Sequence, residues 1–225
     1  MQSAHARGFI DRNTTWVLVA ALAAGLGLWA GQAWFARDDA AAAATNTTAR
    51  GPALKTVRLF DARRTIPAFQ LEGEHAALRP ADLAGHWTVV FLGFTHCPDI
   101  CPTTLATLAK AQEAWRALPE ARRPRVLFVS VDPERDTAAK AGQFARFFHA
   151  DTLAATADGP ALESFVQSLG MVFMKVPRPD GDYMMDHSST LVVLDPQGRQ
   201  AGLIRPPFAP ADIAADLATL AKDVP

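Results

Sequence analysis

Cys97 and Cys101 are the only cysteines of the chain, and both lie in FTHCPDICPTTL, residues 94–105. Four residues apart on a helix, two thiols share one face a single turn apart. They are then close enough to bridge each other or to share an ion. Cys97 is expected where a strand turns into a helix, with Pro98 just inside the first turn. Unpaired N–H groups and the helix dipole favour a thiolate at such a terminus, so Cys97 is expected to be partly ionised near neutral pH.

Several chemistries compete for this pair. As a purely structural pair, free cysteines act as small apolar residues, but an exposed strand-to-helix turn with a proline after each thiol argues against that. Haem attachment of the c type needs C-x-x-C-H, and here Pro102 follows Cys101, which excludes it. A redox dithiol ordinarily shows C-x-x-C, so the additional residue counts against a standard disulfide oxidoreductase and leaves a less usual one open. Two soft thiolates suit Cu(I) or zinc, yet structural zinc wants four protein ligands and no third cysteine exists. Copper needs only one more ligand.

The six histidines are the place to look for it. His5 precedes a long apolar run, His75 and His86 fall in loops, and His149 falls near a helix end, where solvated surface positions are expected. His96 adjoins Cys97, but neighbours in an extended segment point to opposite faces, so it is expected to act from outside the ligand set or only locally. His187, in DYMMDHSSTLVVLD, is expected on a loop just ahead of a strand, from which its imidazole can swing over the thiols. Spacing alone favours a structural histidine there over a ligand.

The elements that must position these groups follow from hydrophobic pattern. WTVVFLGF at 87–94 and VLFVSV at 126–131 read as strands buried on both faces. Between them a helix begins close to the cysteines and stops before Pro119. After VDPERD, with Asp136 or Thr137 as the cap, helices are expected over about 136–149 and 160–169. Strands follow at 171–176 and 190–195, then the turn PQGR, a strand QAGLI and a last helix from about 210. Alternating strands and helices with a late hairpin give an α/β fold, a thioredoxin-like mixed sheet flanked by helices.

Ahead of this domain, WVLVAALAAGLGLWAGQAWF at 16–35 carries no charge and is long enough to cross roughly 30 Å of hydrocarbon as a helix. Trp16, Trp34 and Phe35 would meet the two interfaces. A cleaved signal peptide is the alternative, although the run exceeds the usual apolar region of one. The expected organisation is a short tail over 1–15, a transmembrane anchor over 16–35, a flexible linker over 36–53 and one domain over 54–225. Lysine plus arginine total 22 against 23 for aspartate plus glutamate, so no positive field exists for nucleic acid.

GFTHCPDICPTTL, SVDPERDT and DHSSTLVVLDPQGR, in this order and spacing, resemble the Sco/SenC proteins over about residues 55–220. The resemblance implies a thioredoxin-like domain holding one copper ion, as Cu(I) or Cu(II), through Cys97, Cys101 and His187. It further implies a metallochaperone that assists assembly of the binuclear copper centre of cytochrome c oxidase subunit II, or serves another copper acceptor. A copper donor protein and a thiol reductant are implied partners. The alternatives are a thiol-disulfide reductase using the Cys97 and Cys101 dithiol on the oxidase subunit, a thiol peroxidase, or a copper or redox sensor. Asp99 and Asp186 are expected near the ligands or facing a partner. Leu191 and Val192 stand where the family often carries an aromatic residue. The implied location is a bacterial inner membrane with the domain in the periplasm, or the mitochondrial inner membrane facing the intermembrane space.

Overall fold

The computed structural model describes Trp16, residues 22–29, 31–32 and 53–222. Two compact units divide the chain, Met1–Ala53 and Leu54–Pro225. Most of the expected anchor, tail and linker lies outside the described residues. Among the described residues no helix is long and apolar enough to cross a membrane.

The second unit opens with strands β1 (Val57–Arg64), β2 (Leu71–Gly73) and β3 (Ala77–Leu78), then a one-turn helix α1 (Pro80–Leu83). Strand β4 (Thr88–Gly93), helix α2 (Ile100–Trp115) and strand β5 (Arg125–Ser130) form the expected strand, helix, strand unit. Helix α3 (Ala138–Phe148), strand β6 (Leu153–Thr156) and helix α4 (Gly159–Ser168) follow. Two strands, β7 (Phe173–Pro177) and β8 (Tyr183–His187), precede β9 (Leu191–Leu194), β10 (Gln200–Ile204) and α5 (Pro210–Ala221).

The main sheet runs β1-β10-β9-β4-β5-β6-β2-β3. Its centre is parallel, β4 with β5 and β5 with β6, while β9 pairs antiparallel with β4. Every residue of β4 is buried, as is every residue of β5 after Arg125, which explains their continuous apolar sequences. Burying each such Val, Leu or Phe side chain stabilises the fold by about 1.5–3 kcal/mol. Helix α2 packs beside α5, burying Leu105, Leu108, Ala111 and Trp115. Trp115 fixes that contact by donating its indole N–H to Ala214 O at 3.1 Å.

The strands β7 and β8 form a separate two-stranded sheet. The segment carrying His187, expected as a loop, is therefore a strand, and His187 is its last residue, paired across from Phe173. Strand pairing satisfies backbone groups that a loop would leave to water.

Candidate metal centre

Strand β4 ends at Gly93, and the chain turns through Phe94 to Asp99 before α2 begins. Pro98 therefore lies in the turn ahead of the helix and not inside its first turn. Asp99 is the N-cap residue, without a side-chain cap bond, and Pro102 occupies the first turn, where its missing N–H has no helical partner to lose. Cys101 N–H, one of the unpaired donors of that turn, points to Cys97 Sγ at 3.3 Å.

Both thiols are buried, Cys97 9% exposed and Cys101 0%, which corrects the expected exposed turn. Phe91, Phe94 and Phe128 are buried around them. Gly93 is required by this packing: a Cβ there would stand 2.8 Å from the Phe128 ring and 3.1 Å from Cys101 Sγ. The burial of Cys101 pushes its thiol pKa well above the ordinary value, and the Cys97 side chain adds to that while the Phe94 backbone opposes it. An ion binding at Cys101 must therefore displace a proton.

His187 Nε2 lies 3.8 Å from Cys101 Sγ, and Nδ1 lies 3.0 Å from Ser188 O. A carbonyl only accepts, so Nδ1 carries the hydrogen and Nε2 turns a free lone pair toward the sulfur. Phe91 and Phe94 meet the imidazole edge to face, with centroids at 6.4 and 6.1 Å. Burial lowers the His187 pKa, partly opposed by Ser188 O and Asp186, which favours the neutral ring that a metal requires.

The donors fit a soft cation. Donors at about 2.3 Å for sulfur and about 2.0 Å for nitrogen, the ordinary lengths to zinc, span close to the observed 3.8 Å when the angle between them is trigonal. The set is not closed into a cage: among the described residues no group of three or more His, Cys, Asp or Glu is gathered around one point. Cys101 and His187 face each other, and Cys97 Sγ accepts the Cys101 N–H one residue into the helix.

Two buried carboxylates hold this arrangement, and sequence reading placed both merely in a loop and helix start. Asp136, 0% exposed, accepts from Thr95 N at 2.7 Å, Thr95 Oγ1 at 2.5 Å and Ser130 Oγ at 2.6 Å. It ties the cysteine turn to the end of β5, and the cap of α3 is Thr137 instead. Asp132 accepts from Arg135 Nε at 2.5 Å and from Tyr183 Oη at 2.8 Å. The Arg135 guanidinium lies 3.7 Å over the Tyr183 ring and donates to Tyr183 O at 3.2 Å. This clamps the hairpin that carries His187 to the loop after β5. The only signal available in sequence was Asp132 and Asp136 themselves, two of the three acids in SVDPERDT.

The remaining residues sit apart. His96, with a side chain 45% exposed, lies 3.8 Å from Asp136 Oδ1, so it borders the Asp136 network. Asp99 and Asp186 are exposed. His86 is not solvated surface; its Nδ1 lies 2.9 Å from Arg123 O and its Nε2 accepts from Arg125 Nη2 at 2.8 Å. The His149 side chain is 10% exposed, beside Glu113, which also departs from the expected surface position.

A family model described as SCO1/SenC matches residues 59–222. A Stutzerimonas stutzeri protein described as copper-binding is 31% identical over 155 residues, covering 68% of this chain and 74% of its own length. The mitochondrial SCO1 homolog 1 of Arabidopsis thaliana is 36% identical over 116 residues, which is 52% of this chain but only 34% of that relative. The structure of Bradyrhizobium japonicum ScoI with copper bound aligns at a TM-score of 0.62 and 33% identity, over 68% of this chain and 96% of that one.

Proposed function

The chain belongs to the SCO1/SenC family, and from that premise we propose that it carries one copper ion between Cys97, Cys101 and His187 and yields it to an acceptor. The observation that carries this reading is the Nε2 lone pair of His187 facing the Cys101 sulfur at 3.8 Å. The naming of relatives as copper-binding and copper-bound supports copper as the cargo.

Two thiolates and a neutral imidazole make a set that is singly negative around Cu(I) and neutral around Cu(II). It serves both oxidation states with ligands soft enough to select copper. Loading releases the Cys101 proton. Unloading proceeds by exchange, in which acceptor thiolates replace the three donors as the hairpin bearing His187 moves off. The reading places the acceptor as the binuclear copper centre of cytochrome c oxidase subunit II and the domain outside an energy-coupling membrane, tethered through residues 16–35.

The test is an anaerobic Cu(I) titration of the reduced chain against a competing chelator. One equivalent bound tightly by the wild type, and at least about tenfold more weakly by His187→Ala, Cys97→Ser and Cys101→Ser, supports the ligand set; even losing a partner outside the ligand shell costs a metal site about 10–100-fold. Equal binding in wild type and His187→Ala removes the imidazole. The weight then moves to a thiol-disulfide reductase, for which Cys97 and Cys101, close together and unbridged, are the resident dithiol.

A further inference from the structure

Four of the chain's five methionines, Met171, Met174, Met184 and Met185, lie between positions 171 and 185, on or beside the hairpin that presents His187. The thiol site uses none of them. Strand register divides the hairpin into two faces, because successive side chains alternate. Tyr183, Met185 and His187 share the inward face: Tyr183 meets Asp132, His187 meets Cys101, and Met185 is 7% exposed. Met184 and Asp186 therefore share the other face, with Val176 opposite Met184 and Met174 opposite Asp186; Met184 is half-buried there, packed in part against the core.

Met174 is 61% exposed and Asp186 is exposed. Met174 thus gains little from burial, which is the usual reason for a large apolar side chain. Directly opposed residues lie about 5 Å apart at Cβ, and diagonal ones stay within reach of long side chains. Met174 and Met184 are such a diagonal pair, and three rotatable bonds allow each thioether to turn toward one point above Asp186. Thioethers select Cu(I), and a single carboxylate offsets its charge.

We propose that the outward face of this hairpin is a second, weaker site for a soft monovalent cation, with Met174 and Met184 as thioether ligands and Asp186 beside them. An ion there is held on the strand that carries His187, on its opposite face, where it can be collected before the thiols take it. The site's own residues are distinct from the thiol site, and only the identity of the physiological ion rests on the copper reading above.

The experiment uses Ag(I), a redox-inert soft cation, on the full chain labelled at its methionine methyl groups and followed by NMR. In the Cys97→Ser/Cys101→Ser variant, the first equivalent shifts the Met174 and Met184 methyl signals and leaves those of Met171 and Met185 in place. Met174→Leu or Met184→Leu, added to that background, weakens this binding by at least about tenfold, the lower end of what perturbing a metal's surroundings costs, whereas Met171→Leu does not. The wild type provides the same test without relying on the double variant: the first equivalent fills the thiols and the second moves the two outward methyl signals. Absence of any shift at Met174 and Met184 in both proteins, or binding indifferent to their replacement, overturns the site and leaves a methionine surface for a protein partner. Loss of wild-type thiol binding would instead count against the copper reading, and the methionine result would stand apart from it.

Discussion

Tyr183 and His187 lie on the same face of β8, and while His187 Nε2 faces Cys101 Sγ at 3.8 Å, the Tyr183 hydroxyl donates to buried Asp132 at 2.8 Å. One end of the strand presents a donor to the thiols and the other anchors it. Tyr183→Phe keeps the ring under Arg135 but leaves the Asp132 oxygen short of a donor, a loss worth about 1–3 kcal/mol when buried. The expected result is Cu(I) affinity lowered by about 10–100-fold, as for other outer partners of metal ligands, with an accelerated dissociation rate and unchanged far-UV circular dichroism. Unchanged affinity and dissociation would show that the hairpin holds His187 without this clamp.

Gly93→Ala tests how tightly the thiols are packed from below. The new Cβ would stand 2.8 Å from the Phe128 ring and 3.1 Å from Cys101 Sγ, and both neighbours are fully buried, so neither can yield freely. Overpacking of this kind costs about 1–3 kcal/mol. Urea unfolding of the apo chain should show that loss, and Cu(I) affinity should fall with it because Cys101 is displaced. Gly93→Ala with wild-type stability would mean that the core around Cys101 relaxes more easily than this packing allows.

Asp136→Asn probes the tie between the cysteine turn and β5. Asp136 accepts from Thr95 N, Thr95 Oγ1 and Ser130 Oγ, while an amide offers only one accepting atom and brings two donors of its own. Hydrogen bonds to a charged group are worth about 1.5–3 kcal/mol each, so a stability loss of at least that size is expected in urea unfolding. Thr95→Ala, which removes one of the three donors and adds none, should cost less. Equal losses in the two variants would show that the charge of Asp136 is not what holds the turn.

What sequence reveals of this fold follows from where each signal resides. Strands β4 and β5 are continuous apolar runs, so their position was legible to within a residue. Strand β8 was not, because YMMDH mixes an acid and a histidine into a short segment whose partner, β7, is joined to it through a polar turn. The approach of His187 to Cys101 was legible through motif resemblance, while the burial of the two thiols was not: Cys97 and Cys101 are covered from elsewhere in the chain, and a local helix-start rule sees neither Phe128 nor the hairpin. Asp132 and Asp136 read as a loop residue and a candidate helix cap for the same reason. A carboxylate's burial depends on Thr95 and Tyr183, which lie about forty to fifty residues away in sequence.

Tyr183 is the only tyrosine in the chain, so its ionisation can be followed directly by ultraviolet difference spectroscopy. Its pKa is pushed from 10.0 up to about 12, first by burial and then by the hydrogen bond to Asp132, against the opposing charge of Arg135. A group whose folded pKa is raised favours the folded state fully at pH below its unfolded value, and that contribution is lost as pH rises through the folded value. The phenolate signal of the native chain should therefore appear near pH 12, while the unfolded chain in urea should titrate near 10. Between these values the stability of the wild type should fall more steeply than that of Tyr183→Phe, which has no phenol to titrate. Asp132→Asn should bring the native midpoint back toward the unfolded one, because the negative partner that resists phenolate formation is gone. A native midpoint already near 10 would place the Tyr183 hydroxyl in water, and the clamp on the His187 hairpin would then rest on Arg135 alone.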